Sequence, residues 1–184
     1  MGVVDDVQIL APREVPLGGP RAMTVRRTLP SRARSLVGGW CFLDHYGPDD
    51  VAQTGGMDVP PHPHIGLQTV SWLFTGEIEH RDSAGVEAPV LPGEINLMSA
   101  GYGISHSEVS TPQTTRLHGV QLWTVLPDAD RFTERRFEHH APGRTELPDG
   151  AGDVSCELPD PGLPEVPTVS ATDLAAATGA NGSG

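Results

Sequence analysis

The sequence predicts an all-β fold, a sandwich or jelly roll, on three observations. Glycine (22) and proline (18) supply 40 of the 184 residues, a frequency that interrupts helices and fills turns. Turn signals recur at short intervals, as Leu17-Gly-Gly-Pro20, Val37-Gly-Gly39, Gly47-Pro48, Gly55-Gly56, Ser83-Ala-Gly85 and Pro92-Gly93. Between them lie runs rich in β-branched and aromatic residues, and no segment sustains the apolar period of a long helix.

Taken in order, the strand-like runs are Leu67 to Phe74, Ile78 to His80, Val86 to Leu91 and Ile95 to Met98. Leu117 to Leu126 is the most β-rich of all. Pro127-Asp128 ends it, and Asp130 to Phe137 is expected to form a short turn or helix. From Glu138 to Gly184 there is no Phe, Trp or Tyr, while Pro, Gly, Ala and acidic residues dominate. Such a segment offers too little apolar surface to repay the entropy of ordering. The expected organisation is therefore one domain over residues 1–140 and an acidic Pro/Gly/Ala-rich tail over 141–184. Within that tail only Val166-Pro-Thr-Val169 reads as a strand, and Thr172 to Thr178 as a helical turn.

The formal charge of −12 argues against direct nucleic-acid binding, which needs clustered cations against phosphates. All twelve basic residues are Arg, six of them between Arg13 and Arg34. No apolar run approaches the ~18 residues of a membrane span. The acidic N-terminus lacks a signal-peptide core, and Asp6 spoils a myristoylation signal at Gly2. A soluble cytoplasmic protein is expected. Cys41 and Cys156, far apart in unlike contexts, fit neither a disulfide framework nor a zinc pair. The absence of Lys removes the phosphate-loop template, and neither a Gly-x-Ser-x-Gly elbow nor a His-Glu-x-x-His helix occurs.

The chemistry concentrates in two short clusters, His62-Pro63-His64 and His106-Ser107-Glu108. Strand side chains alternate faces, so His62 and His64 project together, as do His106 and Glu108. Two such strands converging inside a barrel surround one ion with three imidazoles and a carboxylate. That set suits a first-row transition metal better than calcium or magnesium, which prefer oxygen. Gly101 and Gly103 allow the bend that turns His106 and Glu108 inward. The other histidines read as less suited. His80 resembles a polar hairpin face beside Glu79 and Arg81, His118 a satisfied core residue, His45 a pocket rim, and His139-His140 the start of the tail.

The block from Pro61 to Ser83 and the block from Pro92 to Glu108 resemble the two halves of the pirin signature. Phe42-Leu-Asp-His-Tyr-Gly-Pro48 and His118-Gly-Val-Gln-Leu-Trp123 extend the likeness over roughly residues 20–140. Pirins are cupins with two β-barrel domains, the N-terminal one holding a single iron. The resemblance implies a cupin barrel here, with the second barrel largely missing, and Fe(II) on His62, His64, His106 and Glu108. Nickel, cobalt or manganese are expected substitutes. Gln68 stands where a carboxylate is common, and Tyr102 where Arg or His is expected.

The resemblance implies two classes of function. One is a quercetin-type flavonol 2,3-dioxygenase acting on a small aromatic substrate and O₂. There Glu108 doubles as metal ligand and base for the flavonol hydroxyl. The substrate would lie against Gln68, Val70 and Trp72, the last two sharing strand parity with His64 if no bulge intervenes. The other class is a non-catalytic, metal-dependent interaction protein that binds a transcription factor or a metabolic enzyme.

Overall fold

The computed structural model describes residues 8–17, 23–146 and 153–155. Apart from one helical turn, α1 (Val51–Thr54), its regular elements are antiparallel strands: β1 (Arg13–Pro16), β2 (Thr24–Leu29), β3 (Trp40–Asp50), β4 (Asp58–His64), β5 (Leu67–Thr75), β6 (Ile78–Asp82), β7 (Glu87–Val90), β8 (Ile95–Ser99), β9 (Ile104–Ser110), β10 (Arg116–Val125), β11 (Arg136–His140), β12 (Arg144–Glu146) and β13 (Asp153–Ser155). The all-β expectation holds. A seven-stranded sheet runs β1-β2-β3-β10-β5-β8-β11, and a four-stranded sheet runs β4-β9-β6-β7. Strands β12 and β13 pair inside the expected tail, whereas the strand expected at 166–169 and the turn at 172–178 lie outside the described residues. Part of the expected turn forms at 130–133, closed by Thr133 N–H on the Asp130 carbonyl after Asp130 and Arg131 N–H close on that of Pro127, while 136 and 137 already belong to β11.

The large sheet is layered on its inner face. One register line sets Tyr46, Gly119 and Leu73 side by side, and another sets Phe42, Trp123, Thr69, Met98 and Phe137. Between these apolar rows runs a polar one: Arg27 beside Asp44, then Gln121, Ser71, Asn96 and His139. Asp44, Gln121, Ser71 and Asn96 are all buried. Arg27 closes one end with a bidentate pair, Nε and Nη2 each 2.7 Å from an Asp44 oxygen, and His139 Nδ1 lies 2.8 Å from Asn96 Oδ1 at the other. Below the row, Tyr46 joins Met23, Val25, Met57, Val59, Leu73, Ile78, Val90 and Leu117 in one apolar cluster. Met98, Ala100 and Ile104 form a second, packed by Phe137.

Candidate metal centre

The first two ligand candidates depend on an irregularity in β4. Val59 pairs with Glu108 and His62 with His106, three steps on β4 against two on β9, so Pro60-Pro61 carry a bulge. Residues three apart on a regular strand face opposite ways. The extra residue therefore brings both Val59 and His62 inside. Prolines suit this position because β4 is the edge strand and no ladder N–H is missed. On β9, Ile104, His106 and Glu108 are buried in alternation. The chain enters β9 through Gly101, at φ 51°, where a side chain would run into the Thr133 carbonyl oxygen.

Three imidazoles meet here. His64 Nε2 lies 3.1 Å from His62 Nε2 and 3.1 Å from His106 Nε2. His62 Nδ1 is 2.9 Å from the Pro60 carbonyl oxygen, which only accepts, so Nδ1 carries the hydrogen and Nε2 presents a lone pair. Burial, reinforced by the neighbouring imidazole of His62, lowers the pKa of His64 to about 4. Burial and the surrounding histidines lower that of His106 to about 2. Both are neutral near pH 7, as ligation requires. Three converging imidazole nitrogens are the donor set of a transition-metal site, and these residues fit one.

Glu108 lies outside the cluster of His62, His64 and His106. It groups with His106 and His80 within ligand distance, while His62, His64 and His106 form the other such group. Burial pushes its carboxyl up to about 7, against hydrogen bonds from Ser71 and Gln121 that favour the ionised form. Ser71 Oγ donates to Glu108 Oε1 at 3.3 Å.

His80, read from the sequence as a hairpin-face residue, is buried opposite Glu108 and stacked on Phe137 with ring centroids 4.6 Å apart. Its neighbours Glu79 and Arg81 pair outside at 2.8 Å. The alternation of Ile78, His80 and Asp82 with these two charges was the available signal. His45 and His118 face the other way, their Nε2 atoms 2.9 Å apart on the outer side of the large sheet.

The residues expected against a substrate are placed differently. Gln68 is buried and donates to Ser99 Oγ at 2.9 Å. Val70 and Trp72 lie half-buried on the outer face, alternating with the buried Thr69, Ser71 and Leu73. The turn at Ile65-Gly66, with Gly66 at φ 65°, separates β4 from β5, so strand parity does not carry across from His64. Trp123 was missed. Its indole lies flat on Phe42 at 3.9 Å, meets His64 edge-on at 4.8 Å, and buries Nε1 without a partner among the described residues. His64, with Pro63 and Ser105 beside it, borders an open hollow of about 460 Å³ together with Ile65, Gly103 and Ile104.

An antiparallel two-sheet barrel with imidazoles converging inside it defines a cupin. A sequence model of the pirins matches residues 22–124, and the chain belongs to the pirin family. It is 46% identical over 130 residues to a pirin-like protein of Caulobacter vibrioides, covering 67% of this chain and 44% of that one. A crystal structure of quercetin 2,3-dioxygenase from Acinetobacter baumannii superposes with a TM-score of 0.70 at 43% identity, over 74% of this chain and 46% of that one. A bacterial pirin from Escherichia coli in complex with nickel(II) shares the fold at 23% identity and a TM-score of 0.55, over 72% and 57% of the two chains. The chain spans about half the length of the curated relatives it matches. Among the described residues no helix is long and apolar enough to cross a membrane.

Proposed function

We propose that residues 1–140 form a metal-binding domain in which His62, His64, His106 and Glu108 hold one iron(II), serving the ring-opening oxidation of a quercetin-type flavonol by O₂. The observation that carries this reading is the meeting of the Nε2 atoms of His62, His64 and His106, with the buried Glu108 carboxylate within ligand distance of His106. A bound iron supplies a Lewis-acidic, redox-active centre at which flavonol and dioxygen can be coupled. The names of the relatives support the same substrate class. The three nitrogen donors also accept nickel, cobalt or manganese.

The chain's own part is to orient and to move a proton. Glu108 is the one carboxylate of the set, and its burial raises its affinity for a proton, which suits it to take the proton of the flavonol 3-hydroxyl. Ser71 and Gln121 hold that carboxylate in place. The Phe42–Trp123 stack offers a flat aromatic wall, and the unpartnered Trp123 Nε1–H is a donor for a substrate oxygen. The test is quercetin and O₂ consumption by protein loaded with iron under anaerobic conditions. Turnover that disappears in His64→Ala is expected. A fully loaded protein that leaves quercetin unchanged overturns the enzymatic reading and returns the barrel to a metal-dependent binding role.

A further inference from the structure

We infer that Asp82 and His80 form an orienting relay that fixes His106 as its Nδ1–H tautomer, leaving Nε2 free to donate to a metal. The inference rests on the reading of His62, His64 and His106 as ligands. Its links are three consecutive contacts. His80 Nε2 lies 3.2 Å from Asp82 Oδ2, His80 Nδ1 lies 3.4 Å from His106 Nδ1, and His106 Nε2 faces His64 Nε2.

The direction of the hydrogens follows from the first link. Asp82 Oδ1 already accepts the N–H groups of Ala84 at 2.8 Å and Val86 at 3.2 Å, so the carboxylate is held with Oδ2 turned to His80. Its side chain and that of His80 are enclosed, 0% and 3% exposed. A neutral His80 must therefore carry its hydrogen on Nε2 and offer a lone pair at Nδ1. The atom facing that lone pair is His106 Nδ1, which must then carry a hydrogen. The opposite tautomer would set two lone pairs against each other in a buried site, at the cost of an unmade hydrogen bond. Partners of this kind commonly decide which nitrogen of a ligating histidine is available.

The relay has a substitution that should reverse it. In Asp82→Asn the amide oxygen is retained by the Ala84 and Val86 N–H groups, so the NH₂ group turns to His80 Nε2. His80 then shifts its hydrogen to Nδ1 and can no longer accept from His106, whose hydrogen moves to Nε2. Long-range ¹H–¹⁵N correlation of the ring nitrogens reads this directly in metal-free protein, without any activity. Nickel(II) competition against a chelator reads the consequence.

The expected result is Nδ1–H at His106 in the unsubstituted protein, Nε2–H in Asp82→Asn, and nickel affinity lowered ~10–100-fold. His80→Phe keeps the stack on Phe137, and His106 should then populate both tautomers. This second variant carries the test if Asp82→Asn does not fold. Nε2–H at His106 in the unsubstituted protein, or a tautomer indifferent to both substitutions, overturns the relay. Failure of the unsubstituted protein to bind nickel, with the tautomers as expected, overturns the ligand reading instead and leaves the hydrogen-bond order standing.

Discussion

His62 sits directly opposite His106, although an unbroken count from the Val59–Glu108 pair would put Pro61 there. The inward facing of His62 thus depends on a bulge that absorbs one residue of an edge strand.

Deleting Pro61 should restore the regular ladder and keep His62 opposite His106, because two regular steps from Val59 then reach it. Nickel affinity should survive this deletion, whereas His62→Ala should lower it at least ~10-fold, in the range seen when a metal site loses an oriented group. Titration of both variants against a chelator checks it. A loss in the deletion variant as large as that in His62→Ala would mean that the bulge itself, not the facing of His62, sets the site.

Replacing Glu108 with Gln keeps the shape and one oxygen but removes the basicity. If Glu108 takes the flavonol proton, Glu108→Gln should retain much of its iron and lose turnover by ~10²-fold or more. Metal analysis and steady-state rates on the same preparation separate the two. A rate near that of the unsubstituted protein assigns Glu108 to ligation alone.

Metal-free protein should lose stability as pH falls from 6.5 to 4.5. His64 and His106 stay neutral when folded down to about 4 and about 2, while the unfolded chain takes up both protons near the ordinary imidazole value of 6.5. Their contribution is present above pH 6.5 and lost below it. Glu108 opposes them, because its folded carboxyl keeps a proton up to about 7 that the unfolded chain releases above 4.5. That contribution is present at low pH and lost as pH rises through 7. His45 and His80, lowered in the same direction, add to the histidine side. The histidine protons therefore outnumber the carboxyl proton, and the net slope is on the order of 1 kcal/mol per pH unit or more. Denaturant unfolding at a series of pH values measures it, and a flat or inverted profile contradicts it.

Gly119→Ala should destabilise the barrel by about 1–3 kcal/mol, the usual range for overpacking. A methyl group there meets the Trp72 carbonyl oxygen, Tyr46 Oη and Leu73 Cδ2, each at 2.7 Å. The midpoint of denaturant unfolding reports the cost.

Much of the large sheet was legible because β5, β8 and β10 alternate cleanly between turn signals. Strand β4 was not, since Val59-Pro-Pro-His-Pro-His64 looks unlike a strand until the histidine spacing is noticed. Edge position and a bulge are what make such a sequence acceptable as a strand, and neither is local information. The inward turn of His80 was hidden by the charges on either side of it. Val70 and Trp72 were assigned to the inner face by counting from His64, and the count fails at a turn whose geometry depends on Gly66. Trp123 was passed over because its proximity to His64 comes from the pairing of distant strands.

The row of Arg27, Asp44, Gln121, Ser71, Asn96 and His139 has a bearing on how the strands find one another. Apolar side chains tolerate many neighbours, and a sheet with Leu43, Val70, Leu97 and Leu122 on its other face has little to tell correct pairing from a slipped one. A slip of one residue would thrust Asp44 and Gln121 among those leucines. A slip of two would keep them inside but part Asp44 from Arg27, stranding a charge away from water. Misalignment by either step is penalised, and the polar row acts as a key to the assembly of the barrel.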